Sequence, residues 1–180
     1  MNSPVFVEYT AVTPQPWKNR RGITRNLFDD SDRAGQWSWR ISIAEITGTQ
    51  PYSRYPGVRR GQVALGPGAV ELTINGEIIE LPVEGTIVFD GEEEVSATPH
   101  SEGFLDLNVM VARARWTPHV SIVHDPTVQV PEDGFWAVVA LEDSCTFGDH
   151  RFARLDALLL TSGAHSGVGR FVLARITPAG

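Results

Sequence analysis

The sequence has one cysteine, one lysine and no long apolar run, and these shortages exclude several classes of protein. Cys145 alone cannot form an internal disulfide, so no disulfide framework is expected. No stretch approaches the roughly 20 apolar residues that a membrane helix needs. The first residues, MNSPVFVEYT, lack the basic start and apolar run of a secretory signal. We therefore expect a cytoplasmic protein with no membrane partner.

Basic residues are outnumbered by acidic ones, 15 to 22, which gives a net charge of −7. Binding to nucleic acid requires clustered cations that release counterions from the phosphates, so we expect no nucleic-acid partner. The charge is distributed unevenly. Residues 1–60 contain nine basic and five acidic residues, whereas residues 61–115 contain two and ten. The N-terminal third is therefore the segment best suited to an anion.

Motifs for metal binding and covalent catalysis are also missing. The five histidines include no His-x-His pair, and a strand would place His119 and His124, five residues apart, on opposite faces. No G-x-S-x-G, G-x-G-x-x-G or G-x-x-x-x-G-K sequence occurs. Residues 163–169, GAHSGVG, are interpreted as a glycine-rich turn. We expect no metal, no cofactor and no catalytic residue.

Short and alternating apolar runs, separated by Gly, Pro and Asn, predict an all-β protein. Asn75-Gly76, between two of these runs, predicts a tight hairpin. Residues 113–133 are interrupted by prolines and less periodic, so no strand is assigned there. Strands are predicted at residues 37–43, 62–65, 70–74, 77–81, 86–89, 104–111, 135–141, 152–160 and 171–176.

Two of the predicted strands have chemically distinct faces, because successive side chains of a strand point in opposite directions. In residues 37–43, Ser38, Arg40 and Ser42 share one face, and two tryptophans and two isoleucines share the other. In residues 104–111, Asp106 and Asn108 lie on the face opposite a row of leucines and valines.

The segment PWKNRRGITR, residues 16–25, combines aromatic, cationic, amide and hydroxyl groups without helical or strand periodicity. A carboxylate could take a charge-assisted contact from Lys18, an amide hydrogen bond from Asn19 and a two-point contact from an arginine. In the structural alternative, Trp17 closes one end of a barrel while Lys18 and Asn19 satisfy backbone groups. Composition alone leaves both interpretations open.

Five motifs in order along the chain resemble the HutD/Ves family: PWKN with GITR, WRISIAE, YSRYPGV-x-R, FDG and DLNVM. The resemblance implies a double-stranded β-helix (cupin) fold without metal, with two cupin-like units packed into one compact bicupin. The N-terminal unit, residues 1–115, would hold the main pocket. A smaller unit, residues 116–180, would follow, with N-terminal residues as candidates to complete it. No catalysis is implied.

Family motifs and strand alternation together mark eight ligand-binding candidates: Trp17, Lys18, Asn19, Thr24, Arg40, Ser42, Asp106 and Asn108. In such a barrel Ser38, Arg40 and Ser42 would line the cavity. The apolar side chains of the same strand, Trp37, Trp39, Ile41 and Ile43, would pack against the other unit. Arg40 is then the candidate for a two-point carboxylate contact, with Asp106 as a residue that could orient either Arg40 or Lys18 from behind.

The sequence departs from the family pattern at four positions, Arg20, Arg21, Asn26 and Arg59, and each change makes the segment more positive. One interpretation is a ligand more anionic than that of the relatives. The other is that these arginines are surface residues that pair with the acidic segment 61–115, since exposed ion pairs form at little energetic cost.

The function expected from the resemblance is non-catalytic binding of a small anionic metabolite, such as formylglutamate or a related carboxylate, with a regulatory role in histidine utilisation. One alternative is a metal-independent isomerase or lyase in which Asp106 or Glu45 is the general base beside Arg40. A second is a stress-response role of the Ves type. A homodimer formed through apolar faces is compatible with all of these.

Overall fold

The computed structural model describes residues 4–17, 20–160 and 162–180, and it is built almost entirely of strands. Within these ranges the one helical element is a short 3-10 turn, Tyr9–Ala11, and no helix is long and apolar enough to cross a membrane. The first eleven strands are β1 Val5–Val7, β2 Gln15–Pro16, β3 Gly22–Asp29, β4 Trp39–Ile46, β5 Gln50–Pro51, β6 Val58–Gly66, β7 Val70–Ile74, β8 Glu77–Leu81, β9 Thr86–Asp90, β10 Val95–Pro99 and β11 Phe104–Ala112. The remaining strands are β12 Trp116–His124, β13 Thr127–Val130, β14 Phe135–Ala140, β15 Cys145–Phe147, β16 His150–Phe152, β17 Ala157–Leu160, β18 Gly163–Val168 and β19 Arg170–Pro178.

The strands form two pairs of sheets. In the first pair, a six-stranded sheet with the order β2-β3-β4-β11-β6-β9 is associated with a four-stranded sheet, β5-β10-β7-β8. In the second pair, a five-stranded sheet, β1-β17-β14-β19-β12, is associated with a four-stranded sheet, β13-β18-β15-β16. Strand β1 pairs with β17, so the N-terminal strand lies in the second pair of sheets. The division of the chain at residue 115 stays a prediction.

Three hydrophobic clusters hold the sheets together. The largest joins the two large sheets back to back, with Ile41 and Ile43 of β4 in the same cluster as Val139 of β14 and Ile176 of β19. A second cluster lies inside the second pair of sheets and is rich in phenylalanine. The third lies inside the first pair and includes Leu72. Each fully buried side chain of this size contributes about 1.5–3 kcal/mol through removal of apolar surface from water.

The all-β prediction is confirmed, and several predicted strands have the predicted bounds. Strands β7 and β8 span residues 70–74 and 77–81. Between them Asn75 and Gly76 have φ values of 50° and 86°, which is the left-handed conformation that a two-residue hairpin turn of this type requires. The Asn-Gly hairpin prediction is therefore confirmed.

Three segments for which no strand was predicted are strands in the structure. Residues 113–133 contain β12 and β13, and β12 accommodates Pro118 because it is an edge strand, where a missing N–H breaks no ladder on the open side. Residues 163–168 form β18, which pairs with β13 and is not a turn. Residues 22–25, in a segment without strand periodicity, belong to β3.

Candidate functional site

A cavity of about 620 Å³ lies against the six-stranded sheet. Its walls come from β2, β3, β4, β5, β6 and β11, from Trp17 after β2, and from the segment that joins β5 to β6. The lining residues are Gln15, Pro16, Trp17, Thr24, Arg40, Ser42, Ala44, Ile46, Pro51, Tyr52, Ser53, Tyr55, Arg60, Asp106, Asn108 and Met110.

Antiparallel register arranges the polar side chains of this sheet in rows across the strands. One row contains Thr24, Ala44, Asp106 and Ala64, and the next contains Asn26, Ser42, Asn108 and Gln62. In the third row, Met110 of β11 pairs with Arg40 on one side and with Arg60 on the other. Since neighbouring strands are about 4.8 Å apart, the two arginine Cα atoms are about 10 Å apart on the same face.

The guanidinium of Arg40 contacts an aromatic ring and a thioether sulfur. Its guanidinium lies over the ring of Trp37, 4.7 Å from Cζ to the ring centroid. Its Nη2 donates to Met110 Sδ at 3.6 Å, a weak acceptor. Its buried Nε has no acceptor, and no ion pair involves Arg40 among the described residues. The guanidinium therefore keeps donors that no protein carboxylate uses.

Arg60 is buried, with 7% of its surface exposed. Its guanidinium lies 4.9 Å from the ring centroid of Tyr52 and 5.5 Å from that of Phe89. Burial lowers the pKa of Arg60, and the nearby charge of Arg40 acts in the same direction. Its Nε, like that of Arg40, is buried without an acceptor in the described part of the chain.

Asp106 is the carboxylate of the cavity and is 1% exposed. Tyr52 donates its hydroxyl to Asp106 Oδ2 at 3.1 Å, and Gln62 Nε2 donates to that same hydroxyl at 2.9 Å. Burial raises the pKa of Asp106 to about 6, although Arg60 and Tyr52 favour its ionised form. Burial also raises the pKa of Tyr52 well above its ordinary value, so the phenol is a neutral donor at pH 7. Oδ1 of Asp106 meets no donor from the described residues.

The cavity brings together six of the eight candidate residues: Trp17, Thr24, Arg40, Ser42, Asp106 and Asn108. Trp17 Nε1 donates to Thr24 Oγ1 at 2.8 Å, which fixes the ring against β3. Gly22 permits this approach, because a Cβ there would lie 2.9 Å from the Trp17 ring. Lys18 and Asn19 lie outside the described residues. That these eight residues bind a ligand stays a prediction.

Two residues near the start of β4 are not where strand alternation placed them. Ser38 does not line the cavity, because its hydroxyl binds Asp30 and accepts from Trp116 Nε1 at 3.0 Å. Trp37 does not pack against the second pair of sheets but lies under Arg40, 6.2 Å from the ring of Tyr55. The physical reason is that β4 begins at Trp39, so the alternation does not extend to these positions. Trp39, Ile41 and Ile43 do pack between the large sheets.

Two proposed roles for acidic residues are not supported by the positions observed. Glu45 lines a separate, smaller cavity beside Arg20, so it cannot act as a base next to Arg40. Asp106 forms no ion pair with Arg40 in the described ranges, and the cation that acts on its charge is Arg60. Asp106 therefore does not orient Arg40.

The arginines that distinguish this sequence from the family pattern lie away from the main cavity. Arg59 is half-exposed and donates from Nε to Asp90 Oδ1 at 2.9 Å, an ion pair with the acidic segment 61–115. Arg20 is exposed beside the smaller cavity, and Arg21 is also exposed. Asn26 lies in the second polar row, where its Nδ2 donates to Asp29.

Sequence reasoning missed Tyr52, Arg60 and Gln62. A usable signal was present, because Arg60 and Gln62 alternate with Gly61 and Val63 as the polar and apolar faces of one strand do. Tyr52 and Arg60 also stand at the two ends of the YSRYPGV-x-R motif. Within the described ranges, no three His, Cys, Asp or Glu side chains form a cluster that could hold a metal ion.

Two pairs of antiparallel sheets with a polar cavity against one large sheet give the chain a fold of the cupin type. The structure of HutD from Pseudomonas fluorescens SBW25 superposes with a TM-score of 0.89 and 21% identity, covering 99% of this chain and 100% of that chain. At that identity the likeness establishes the fold.

Sequence comparison defines the family more narrowly. Protein Ves of Citrobacter koseri is 34% identical over 122 residues, which are 64% of this chain and 63% of that protein. A 21.2 kDa protein from the hutC 3′ region of Pseudomonas putida is 30% identical over 104 residues, 56% of this chain and 54% of that protein. The matches thus span less than two thirds of either relative. The HutD family model matches residues 9–172, and the chain belongs to the HutD family.

Proposed function

We propose that this protein binds a small carboxylate in the main cavity without transforming it. The observation that carries the proposal is the pair Arg40 and Arg60, two guanidinium groups on one face of one sheet with buried donors that lack acceptors among the described residues. A guanidinium matches a carboxylate in shape and charge and binds it through two parallel hydrogen bonds. A ligand carboxylate would compensate the cost of keeping each cation out of water.

The two guanidinium groups and the volume of the cavity favour a small ligand with two acid groups. Arg40 and Arg60 with an ionised Asp106 give the cavity a net positive charge, so an anion is favoured. The volume of about 620 Å³ lies within the range of pockets for small metabolites. Ser42 and Asn108, in the row next to the two arginines, add polar groups to the cavity. Formylglutamate, with two carboxylates and one formamide, has the matching set of groups.

A regulatory role in histidine utilisation is the setting we propose for this binding. The HutD family description and the origin of one relative in a hutC 3′ region support it. The match to Protein Ves keeps the alternative setting, a stress-response role of the Ves type, as the second candidate. Growth of a deletion strain separates the two: a defect confined to histidine as nitrogen source supports the first, and a defect confined to cold or stress supports the second.

Thermal denaturation with formylglutamate, glutamate, urocanate and formate tests the binding proposal. A ligand at 100 times its dissociation constant stabilises the fold by about 2.7 kcal/mol, and we expect formylglutamate to give the largest shift. Glutaramide, which has a five-carbon chain like that of glutamate but no carboxylate, is the matched control and should give no shift of the midpoint. Unchanged midpoints with all four acids would contradict carboxylate binding.

One observation favours a second candidate, a metal-independent isomerase or lyase. Asp106 lines the cavity with one oxygen that no described donor engages and with a pKa near 6, which suits a general acid or base. NMR spectra of formylglutamate or urocanate incubated with the protein would test it. Turnover by the wild type that is lost in Asp106→Asn would support catalysis, and unchanged spectra over many hours would support binding alone.

A further inference from the structure

The cavity contains a buried acid as well as two cations, and a ligand carboxylate would have to share the cavity with that acid. Asp106 is 1% exposed, and Tyr52 occupies only its Oδ2. Oδ1 has no donor among the described residues. Asp106, Arg60 and Arg40 all line this one cavity. Arg60 therefore attracts both the Asp106 carboxylate and any anion that binds beside it.

The surroundings of Asp106 do little to hold a second negative charge. Among the described residues, the charged and titratable groups that share its cavity are Arg40 from β4, Arg60 from β6, and Tyr52 and Tyr55 from the segment between β5 and β6. Its own strand contributes Asn108 and Met110, and β3 contributes Thr24, none of which carries a charge. Val70, Leu72 and Ala97 of the facing sheet belong to the same hydrophobic cluster as Ala64, the cross-strand partner of Asp106, and carry no charge. Among the described residues, Arg40 and Arg60 are thus the cations available to Asp106 and a dianion together, and hydrogen bonds from Tyr52 and Asn108 add to the support of the ionised form.

We infer that an anionic ligand enters this cavity together with one proton, which Asp106 binds at Oδ1. This inference rests on the proposed function. A like charge brought within a few ångströms of a buried carboxylate disfavours its ionised form, and the ligand also engages the cation that had favoured ionisation. In the absence of ligand, burial already holds the pKa of Asp106 at about 6, so only a small further rise in this pKa is needed for protonation near pH 7. By linkage, the ligand raises the affinity of Asp106 for a proton as much as the proton raises the affinity for the ligand.

A protonated Asp106 also specifies the chemistry of the bound group beside it. Ionised carboxylates only accept hydrogen bonds, whereas the protonated form has one O–H donor. With Oδ2 accepting from Tyr52, Oδ1 is the oxygen left for the proton, and Asp106 is one of the residues that line the cavity. The ligand then presents an acceptor there, a carboxylate or carbonyl oxygen. An ammonium or amide N–H at this position would instead keep Asp106 ionised.

Isothermal titration calorimetry measures the proton directly, with formylglutamate and glutarate as probes. Glutarate has two carboxylates but no N–H group, so it cannot donate to Asp106. The titrations are done at pH 7 in imidazole, Tris and bis-Tris, because these buffers bring no buffer anion that could compete with the ligand. The observed binding enthalpy is plotted against the ionisation enthalpy of the buffer, and the slope gives the number of protons taken up. We expect uptake approaching one proton per ligand. The affinity should rise by about tenfold per unit as the pH falls from 8 towards 6.

Asp106→Asn is the matched variant, because it keeps the shape and removes the titration. It should bind without proton uptake, and at pH 8 it should bind at least about tenfold more tightly than the wild type, since no buried charge opposes the ligand. Binding of either acid by the wild type without proton uptake would overturn the inference and leave the proposed function standing. Uptake that persists in Asp106→Asn would overturn the assignment to Asp106. Absence of binding by both acids would contradict the proposed function and this inference with it.

Discussion

Arg59 and Arg60 are neighbours in the sequence but belong to different surfaces of the molecule. Strand alternation directs Arg59 to the outside, where it pairs with Asp90, and Arg60 into the cavity, where it is 7% exposed. The exposed ion pair of Arg59 and Asp90 contributes little to the stability of the fold, because solvent screens the two charges. The buried guanidinium is costly until an anion engages it. The two residues therefore make a matched pair for testing the cavity.

We expect Arg60→Met to weaken the binding of formylglutamate by about 10–100-fold, because a hydrogen bond to a charged group contributes about 1.5–3 kcal/mol. Methionine keeps an apolar stem of similar length, so the cavity wall is retained. Arg59→Met, the control on the opposite face, should bind as the wild type does. Tryptophan fluorescence of Trp17 and Trp37 can follow the titration. Equal affinities of the two variants would contradict a role for Arg60.

Asp106 should make the stability of the free protein depend on pH. Its folded pKa, about 6, is above the ordinary value of 3.8, so the folded state binds more protons than the unfolded state between these values. Stability is therefore lost as the pH rises through this window, and the full cost is present above pH 6. Between pH 4.5 and 7.5, the free energy of unfolding of the wild type should fall by about 2 kcal/mol relative to that of Asp106→Asn. Urea denaturation of both proteins measures the free energy of unfolding at each pH. Parallel pH profiles of the wild type and Asp106→Asn would contradict a raised pKa of Asp106.

The strands that local pattern predicted well are those whose turns and faces are encoded nearby. Strands β7 and β8 have the predicted bounds because Asn75-Gly76 specifies the turn between them. Strand β12 was missed because Pro118 is compatible with a strand only at a sheet edge, and edge position depends on the whole topology. Strand β18 was missed because its glycines suit a turn equally well.

The site was predictable in part for the same reason. Arg40, Ser42, Asp106 and Asn108 could be identified because the two strands that carry them alternate cleanly. Arg60 could not be placed beside them, because β6 ends at residue 66 and its partner β11 begins only at residue 104. Which polar faces meet depends on the sheet order β4-β11-β6, and no local pattern contains that order.

Close packing of β6 against β12 depends on Gly61, which lies on the face opposite the cavity. A Cβ at this position would be 3.3 Å from Val120 Cγ1, closer than ordinary contact. We expect Gly61→Val to destabilise the fold by about 1–3 kcal/mol through overpacking. Val120→Ala makes room, so the double variant should be more stable than the sum of the two single changes predicts. Additive effects in urea denaturation would contradict the contact.

The cluster between the two large sheets makes one cooperative unit of the whole molecule. It draws buried side chains from both pairs of sheets, so neither pair can unfold without exposing the apolar face of the other. Cavity-creating changes on one side should therefore weaken the whole chain. One face of the six-stranded sheet lines the cavity, and its opposite face packs in this cluster. The packing therefore gives the cavity residues a rigid support.

Ile176→Ala, in the second pair of sheets, should lower the free energy of unfolding by about 2–5 kcal/mol, because it removes a fully buried side chain and leaves a void. Circular dichroism and tryptophan fluorescence should report one shared transition with the same shifted midpoint. Two separate transitions, with only the later strands affected by the change, would contradict cooperativity between the two pairs of sheets.

Titration calorimetry of formylglutamate with the wild type and with an Arg40→Gln/Arg60→Met double variant tests most directly whether the cavity is a carboxylate site. We expect one ligand per wild-type chain and no measurable binding to the double variant, whose circular dichroism should match that of the wild type. A wild type that gives no binding heat, or a double variant that binds with wild-type affinity, would contradict carboxylate recognition by Arg40 and Arg60.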